Sequence, residues 1–116
     1  MSAGKYNLSI EQGALYGFEL TITSEDGSIF DLTGFTAQLQ IRDKVGGIVL
    51  YDSKVFEDIV INGPAGSLLL SIPTARTKLF TFIKGVYDLE LEKNLENTRI
   101  LEGSVYLSKE VTKNDN

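Results

Sequence analysis

Apolar and polar residues alternate along most of this chain. Phe18, Leu20 and Ile22 stand between Glu19, Thr21 and Thr23, the period of a half-buried strand. Ala37, Leu39 and Ile41 alternate with Gln38, Gln40 and Arg42, and Leu68, Leu70 and Ile72 with Leu69 and Ser71. Tyr87, Leu89 and Leu91 alternate with Asp88, Glu90 and Glu92, and Leu101, Gly103, Val105 and Leu107 with Glu102, Ser104 and Tyr106. Shorter runs at 6–10, 48–51 and 55–61 bring the expectation to about eight strands. Turn chemistry separates them: Glu25–Asp26–Gly27–Ser28, Asp43–Lys44–Val45–Gly46–Gly47 and Asn62–Gly63–Pro64–Ala65–Gly66 are hairpin signals. A fourth, Asn94–Leu95–Glu96–Asn97, joins a strand over 85–93 to one over 98–108. Strands at this spacing, with turns between and no long helix, read as an antiparallel sandwich or barrel, and the expectation taken is an all-β, antiparallel immunoglobulin-like β-sandwich.

One segment breaks the period. Residues 73–80 begin with Pro73 and continue with helix-tolerant residues, which suits a short helical turn with proline at its start. Leu79 and Phe80 would then plug one end of the sandwich. The polar residues 109–116 read as a flexible tail. Neither a linker nor an internal repeat divides the chain, so 1–116 is read as a single domain.

Composition fits this picture: 116 residues, 42% hydrophobic and 23% charged, support one core without staples. The chain has no histidine and no cysteine, which removes the commonest general base, thiolate nucleophiles and zinc or iron–sulfur ligation. A net charge of −5 argues against binding a nucleic-acid backbone. Met1–Lys5 has no apolar stretch behind it, so no signal peptide is expected, and no run is long enough to span a membrane.

Candidate chemistry is correspondingly thin. Asp88, Glu90 and Glu92 share the outer face of one strand, but a solvated face offers no cleft to raise the pKa of one member for acid–base work. Asp26, Asp31, Asp43, Asp52, Glu57 and Asp58 lie near turns and could offer oxygens to calcium, yet none forms the acidic loop that binds it. Gly46–Gly47 and Gly63…Gly66 precede no helix with Lys-Ser/Thr, so they read as turns rather than phosphate cradles. No catalytic, cofactor or metal site is expected. The remaining chemistry is that of edges, whose free N–H and C=O groups accept partner strands. The strand Tyr6–Ile10, with Leu8 between, is a candidate edge, and Ile100 and Tyr106 are expected to face away from the core. Val111, in the tail, joins them as a candidate partner contact.

Four motifs in order resemble a family of small virion structural proteins of tailed phages and the N-terminal domains of baseplate upper proteins. They are Tyr6-Asn-Leu-Ser-Ile-Glu-Gln-Gly13; Asp31-Leu-Thr-Gly34 followed by Phe35-Thr-Ala-Gln-Leu-Gln-Ile-Arg42; Gly66-Ser-Leu-Leu-Leu-Ser-Ile with Pro-Thr-Ala-Arg-Thr after it; and Gly85-Val-Tyr-Asp-Leu-Glu-Leu91 with Arg99-Ile-Leu-Glu-Gly-Ser-Val105. Phe35 stands where tyrosine is usual, and Ala14–Gly17 is looser than the family's aromatic start. The resemblance implies a non-enzymatic tail or baseplate component located in the virion, assembling with other virion proteins and with copies of itself. Asp31, Gly34, Arg42, Tyr87 and Gly103 would be its fold signature. Asp31 is expected to accept backbone N–H bonds, Gly34 to permit a bend, Arg42 to meet Asp43 or Asp88, and Tyr87 to tie its hydroxyl to backbone as in a tyrosine corner. A capsid decoration protein is an alternative, and so is a carbohydrate-binding module, for which a coplanar strip of exposed aromatics would speak.

Overall fold

The computed structural model describes residues 3–112. Among them the elements run β1 (Gly4–Lys5), β2 (Leu8–Glu11), β3 (Tyr16–Thr21), β4 (Thr36–Arg42), β5 (Val49–Asp52), α1 (Ser53–Phe56), β6 (Ile59–Asn62), β7 (Ser67–Ile72), α2 (Thr74–Thr77), β8 (Lys84–Lys93) and β9 (Glu96–Ser108). One sheet has the order β1–β9–β8–β4–β5, with β2 continuing beside β9, and the other is β3–β7–β6. Faced together they make a β-sandwich in which the three-stranded sheet has the B, E and D strands of an immunoglobulin domain and the larger sheet its G, F and C strands plus C′. The alternation therefore led to the right fold.

The pairing departs from the expectation in one respect. β1 and β2 run parallel to β9, with Gly4 opposite Leu101 and Leu8 opposite Val105. No hairpin joins these neighbours, so nothing forces them antiparallel. After β2 the chain turns at Gly13 (φ 83°) and crosses to the other sheet to begin β3.

The core lies where the alternation places it. Leu39, Ile41, Leu68, Leu70, Ile72, Tyr87, Leu89, Leu91, Val105 and Leu107 are buried in one cluster, joined by Leu8, Ile10, Leu32, Tyr51 and Phe80. Ile100 breaks the period. Leu89 pairs with Leu101 but Glu90 with Arg99, so Ile100 is the extra residue of a bulge, half-buried against the core rather than facing away from it.

Some local expectations need correction. The strand over 55–61 is in fact α1 followed by β6. The Asp52 carboxylate caps the Lys54 N–H, and Glu57 at φ 55° ends the turn and sends the chain into the small sheet. The short helical turn expected within 73–80 is present as α2, with Pro73 as its N-cap and Phe80 buried beyond it, but Leu79, expected to plug the end of the sandwich, is exposed. The last hairpin has a two-residue loop, Asn94–Leu95, both at positive φ as a type I′ turn requires. Of the other three turns, 43–47 joins β4 to β5 and 62–66 joins β6 to β7 as expected, whereas Asp26–Gly27 closes only an isolated bridge between Thr23 and Ile29, because β3 and β4 lie in different sheets.

Candidate interaction surfaces

One long side of the sandwich is closed. β5 runs through α1 into β6, so the chain itself crosses from sheet to sheet there. Beneath this crossing the Tyr51 hydroxyl donates to Asp58 Oδ2 at 2.6 Å, and the Arg76 guanidinium from α2 pairs with Asp58 Oδ1. Arg76 also lies 4.4 Å over the Phe56 ring, which stacks on Tyr51. Burial, then the bond to Asp58, push the Tyr51 hydroxyl far above its ordinary range, so it remains a donor. The Ser53 hydroxyl, also buried, accepts the Leu39 N–H and ties α1 to β4.

The outer face of the large sheet is a polar lattice around a groove of about 490 Å³. Arg99 reaches Asp88 (3.3 Å) and Glu102 (3.7 Å), and Lys5 reaches Glu102 (3.1 Å). Gln38 and Gln40 donate to Asp52, and Arg42 donates to the Gly47 carbonyl (2.6 Å) and to Gln40 Oε1. Arg42 thus closes the β4–β5 turn instead of meeting Asp43 or Asp88. Burial disfavours the Asp52 charge, but the donors from Gln40, Gln38 and Lys54 outweigh it and hold the carboxyl below its ordinary value. Asp88 is held by an arginine on the neighbouring strand, an exposed pair of the kind that contributes little to stability.

The other long side is held by an inserted joint. Tyr87 donates its hydroxyl to the Tyr6 carbonyl at 2.6 Å, and Asn7 Oδ1 accepts the Ser104 N–H. Gly103 makes this approach possible, since a Cβ there would sit 2.2 Å from the Tyr6 carbonyl oxygen. The tyrosine is therefore tied to backbone as expected, but to the first strand rather than to a nearby corner. Burial, then the neighbouring hydroxyls of Tyr16 and Tyr6, raise the Tyr87 pKa and keep it donating. Gln12 completes the joint: its amide donates to the Phe80 carbonyl (2.8 Å) and its oxygen accepts the Glu110 N–H (2.9 Å).

The candidate partner contacts are dispersed. Leu8 and Ile10 are 1% exposed and belong to the core, because β2 points Ser9 and Glu11 outward. Ile100 is taken by the bulge. Tyr6, Tyr106 and Val111 are exposed, at 53%, 42% and 99%. Tyr6 rests its ring on Phe18 across the seam between the sheets, whereas Tyr106 lies under Lys84 on the outer face of β9. Of the tail, 113–116 lie outside the described residues.

The acids near turns work within those turns. Asp26 accepts from Ser28 and Asp31 from Thr33, through N–H and hydroxyl alike, and these bonds lower both pKa values. Gly34 follows at φ 86°, the bend expected of it. Asp43 caps the N–H groups of Lys44 and Ile48. Among the described residues no three Asp, Glu, His or Cys side chains gather as metal ligands. The other aromatic pairs are tilted or edge-on; in the near-coplanar pair, Tyr51–Phe56, Tyr51 is buried and Arg76 lies over the exposed Phe56, so the pair forms no exposed strip.

Two features had no counterpart in the sequence reading. A cup of about 390 Å³ lies between the β8–β9 hairpin and the loop before β4, lined by the apolar Ile22, Phe30, Phe35, Leu91 and Ile100 together with Lys93, Asn94, Glu96 and Thr98. The other is β3, a sheet edge with no strand paired to its outer side among the described residues. Neither has a local signature, since each is assembled from residues far apart in the chain.

Sheet order and surfaces together define an immunoglobulin-like domain whose distinctive features are a closed and an open side. No family model and no curated protein sequence matches the chain. Among solved structures it is similar to the extracellular domains of the voltage-gated sodium channel beta4 subunit, described as parallel homodimers with a role in cell–cell adhesion. That likeness has 16% identity and a TM-score of 0.47, covering 96% of this chain and 98% of the other. It is also similar to the N-terminal Ig1-2 module of the Drosophila receptor protein tyrosine phosphatase DLAR, at 12% identity and TM-score 0.45, covering 93% of this chain. The chain spans about half (47%) of that module.

Proposed function

We propose that this chain is a non-enzymatic structural protein of a tailed-phage virion, a tail or baseplate component or adaptor that acts by binding other virion proteins and copies of itself. The observation that carries this reading is the open long side, where among the described residues the β1/β2 edge of one sheet and the β3 edge of the other lie without partner strands beside exposed Tyr6. Unpaired edges bind by adding strands, and symmetric repetition in a particle multiplies weak contacts. The motif order supports the phage assignment, and four of its signature residues have structural work consistent with it. Asp31 and Gly34 shape the turn before β4, and Tyr87 and Gly103 seat the first strand.

The test is quantitative mass spectrometry of purified particles from the source, giving copies per virion relative to the major capsid protein. A few copies, in ratio to tail symmetry, are expected. Near-stoichiometric abundance would make the chain a capsid decoration protein, and absence from the particle would overturn the virion reading.

A further inference from the structure

The four sheet edges are unequal. β5 and β6 are four residues each, and β5 adjoins a register shift at Ile41/Arg42. The β1/β2 edge is interrupted at Tyr6–Asn7. β3 runs six residues without a break, and its sequence, Tyr16-Gly-Phe-Glu-Leu-Thr21, contains one charge, no lysine and no proline. It lacks the devices by which natural proteins blunt an edge.

Its free backbone groups are fixed by the pairing on its other side. Ile22 donates to the Gly66 carbonyl at 2.8 Å, and hydrogen-bonded pairs alternate along an antiparallel ladder. Leu20, Phe18 and Tyr16 therefore turn their N–H and C=O toward β7, while those of Gly17, Glu19 and Thr21 point into the open edge. The inward side chains show the same deficit. Tyr16, Phe18 and Leu20 are half-buried, whereas Leu68, Leu70 and Ile72 opposite them are fully buried.

We propose that β3 is a self-association edge: two copies pair their β3 strands antiparallel about a two-fold axis at Phe18, fusing two three-stranded sheets into one of six. A second copy is the occupant because this strand is complementary to itself in one register. Only two-fold registers centred on a residue bring outward-pointing groups together. Centring on Glu19 sets two carboxylates directly opposite, which is repulsive. Centring on Gly17 leaves Phe18 opposite Tyr16 and Leu20 without a strand residue to face, and centring on Leu20 pairs only Glu19–Thr21 within the strand and leaves Tyr16, Gly17 and Phe18 without one. Centring on Phe18 places each Glu19 opposite the other copy's Gly17, whose Cβ direction is empty. It also sets Tyr16 against Leu20 and Phe18 against Phe18, covering the half-buried row. This inference stands on β3 alone and holds whether or not the chain belongs to a virion.

The test is the mass of the full chain by sedimentation equilibrium. The wild type is expected to dimerise reversibly. Glu19→Pro removes an N–H that faces the open edge and none that faces β7, and edge positions of this kind tolerate proline. It should weaken the dimer about 30-fold or more, for two lost hydrogen bonds, while far-UV circular dichroism stays unchanged. Glu19→Gln keeps the N–H and should keep the dimer. Phe18→Cys, in a chain with no other cysteine, should oxidise to a covalent dimer, because facing residues of a non-hydrogen-bonded pair lie within disulfide reach; Glu19→Cys should not. A wild type that is monomeric at every concentration, a dimer that survives Glu19→Pro, or cross-linking at Glu19→Cys instead of Phe18→Cys would each overturn the proposal. Should Glu19→Pro fail to fold, the cysteine pair decides alone.

Discussion

The two long sides of this sandwich solve one problem in opposite ways. On the closed side the chain passes from sheet to sheet through α1, and a buried carboxylate shared by Tyr51 and Arg76 locks the crossing. On the open side the chain crosses only at the turn at Gly13, between β2 and β3, and among the described residues β3 has no partner strand on its outer side. The first strand is laid in from outside and held by a hydroxyl, an asparagine and a glycine-sized gap. The unpaired edges lie on the side of the sandwich opposite the buried Tyr51–Asp58–Arg76 cluster. Loss on the closed side should cost the whole fold, and loss on the open side should cost one strand.

Asp58→Ala tests the first half most severely. It leaves the Tyr51 hydroxyl and the Arg76 guanidinium without their common acceptor, and removing one partner of a buried pair costs about 3 kcal/mol. Urea unfolding should show the whole transition move to lower denaturant with its slope unchanged. Gly103→Ala is the counterpart on the open side. Its Cβ collides with the Tyr6 carbonyl and should cost about 2 kcal/mol as overpacking does. Hydrogen exchange should show that loss confined to the N–H groups of β1, Tyr6 and β2, with β7 and β8 still protected. Equal loss of protection throughout would erase the distinction between the sides.

Tyr87→Phe removes only the bond to the Tyr6 carbonyl and should cost about 1 kcal/mol, again at the first strand. The smallest effect is in acid. Asp52, at the start of α1, has its pKa lowered from 3.8, so its contribution is present above that value and lost as pH falls below it. Asp52→Asn retains a capping side chain without the charge. It should flatten the loss of stability below pH 3.8 by about 0.5 kcal/mol, the discount appropriate to a largely solvated group.

The fold was legible in the sequence wherever one face of a strand is wet and the other dry. That covers β4, β7, β8 and most of β9, and the turns that carry Gly after Asp or Asn. It failed where alternation and burial part company. Val55, Ile59 and Ile61 keep a period of two across a helical turn, because Glu57 in a left-handed conformation reverses the chain between them. Ile100 falls out of phase by one inserted residue. Leu8 and Ile10 read as an edge available to partners because position in the chain shows that a strand is terminal, not which of its faces is covered. The Tyr51–Asp58–Arg76 cluster joins three elements over 25 residues of chain, and no spacing rule connects a tyrosine, an aspartate and an arginine so placed.

The parallel ladder between β2 and β9 has a consequence in time. Asn7 and Ser104, bonded to each other, are 97 residues apart in the chain. At the usual 5–20 residues per second of synthesis, roughly 5–20 s pass between the making of the first strand and the appearance of its partner. Throughout that interval Leu8 and Ile10, which end fully buried, have no strand to lie against. Closing so long a loop comes late and is slow, since its entropy is lost before its contacts form. The segment carrying β1 and β2 is thus made well before the strand that fixes it, and the nascent chain passes through a stage at which both sheets have an unfilled side.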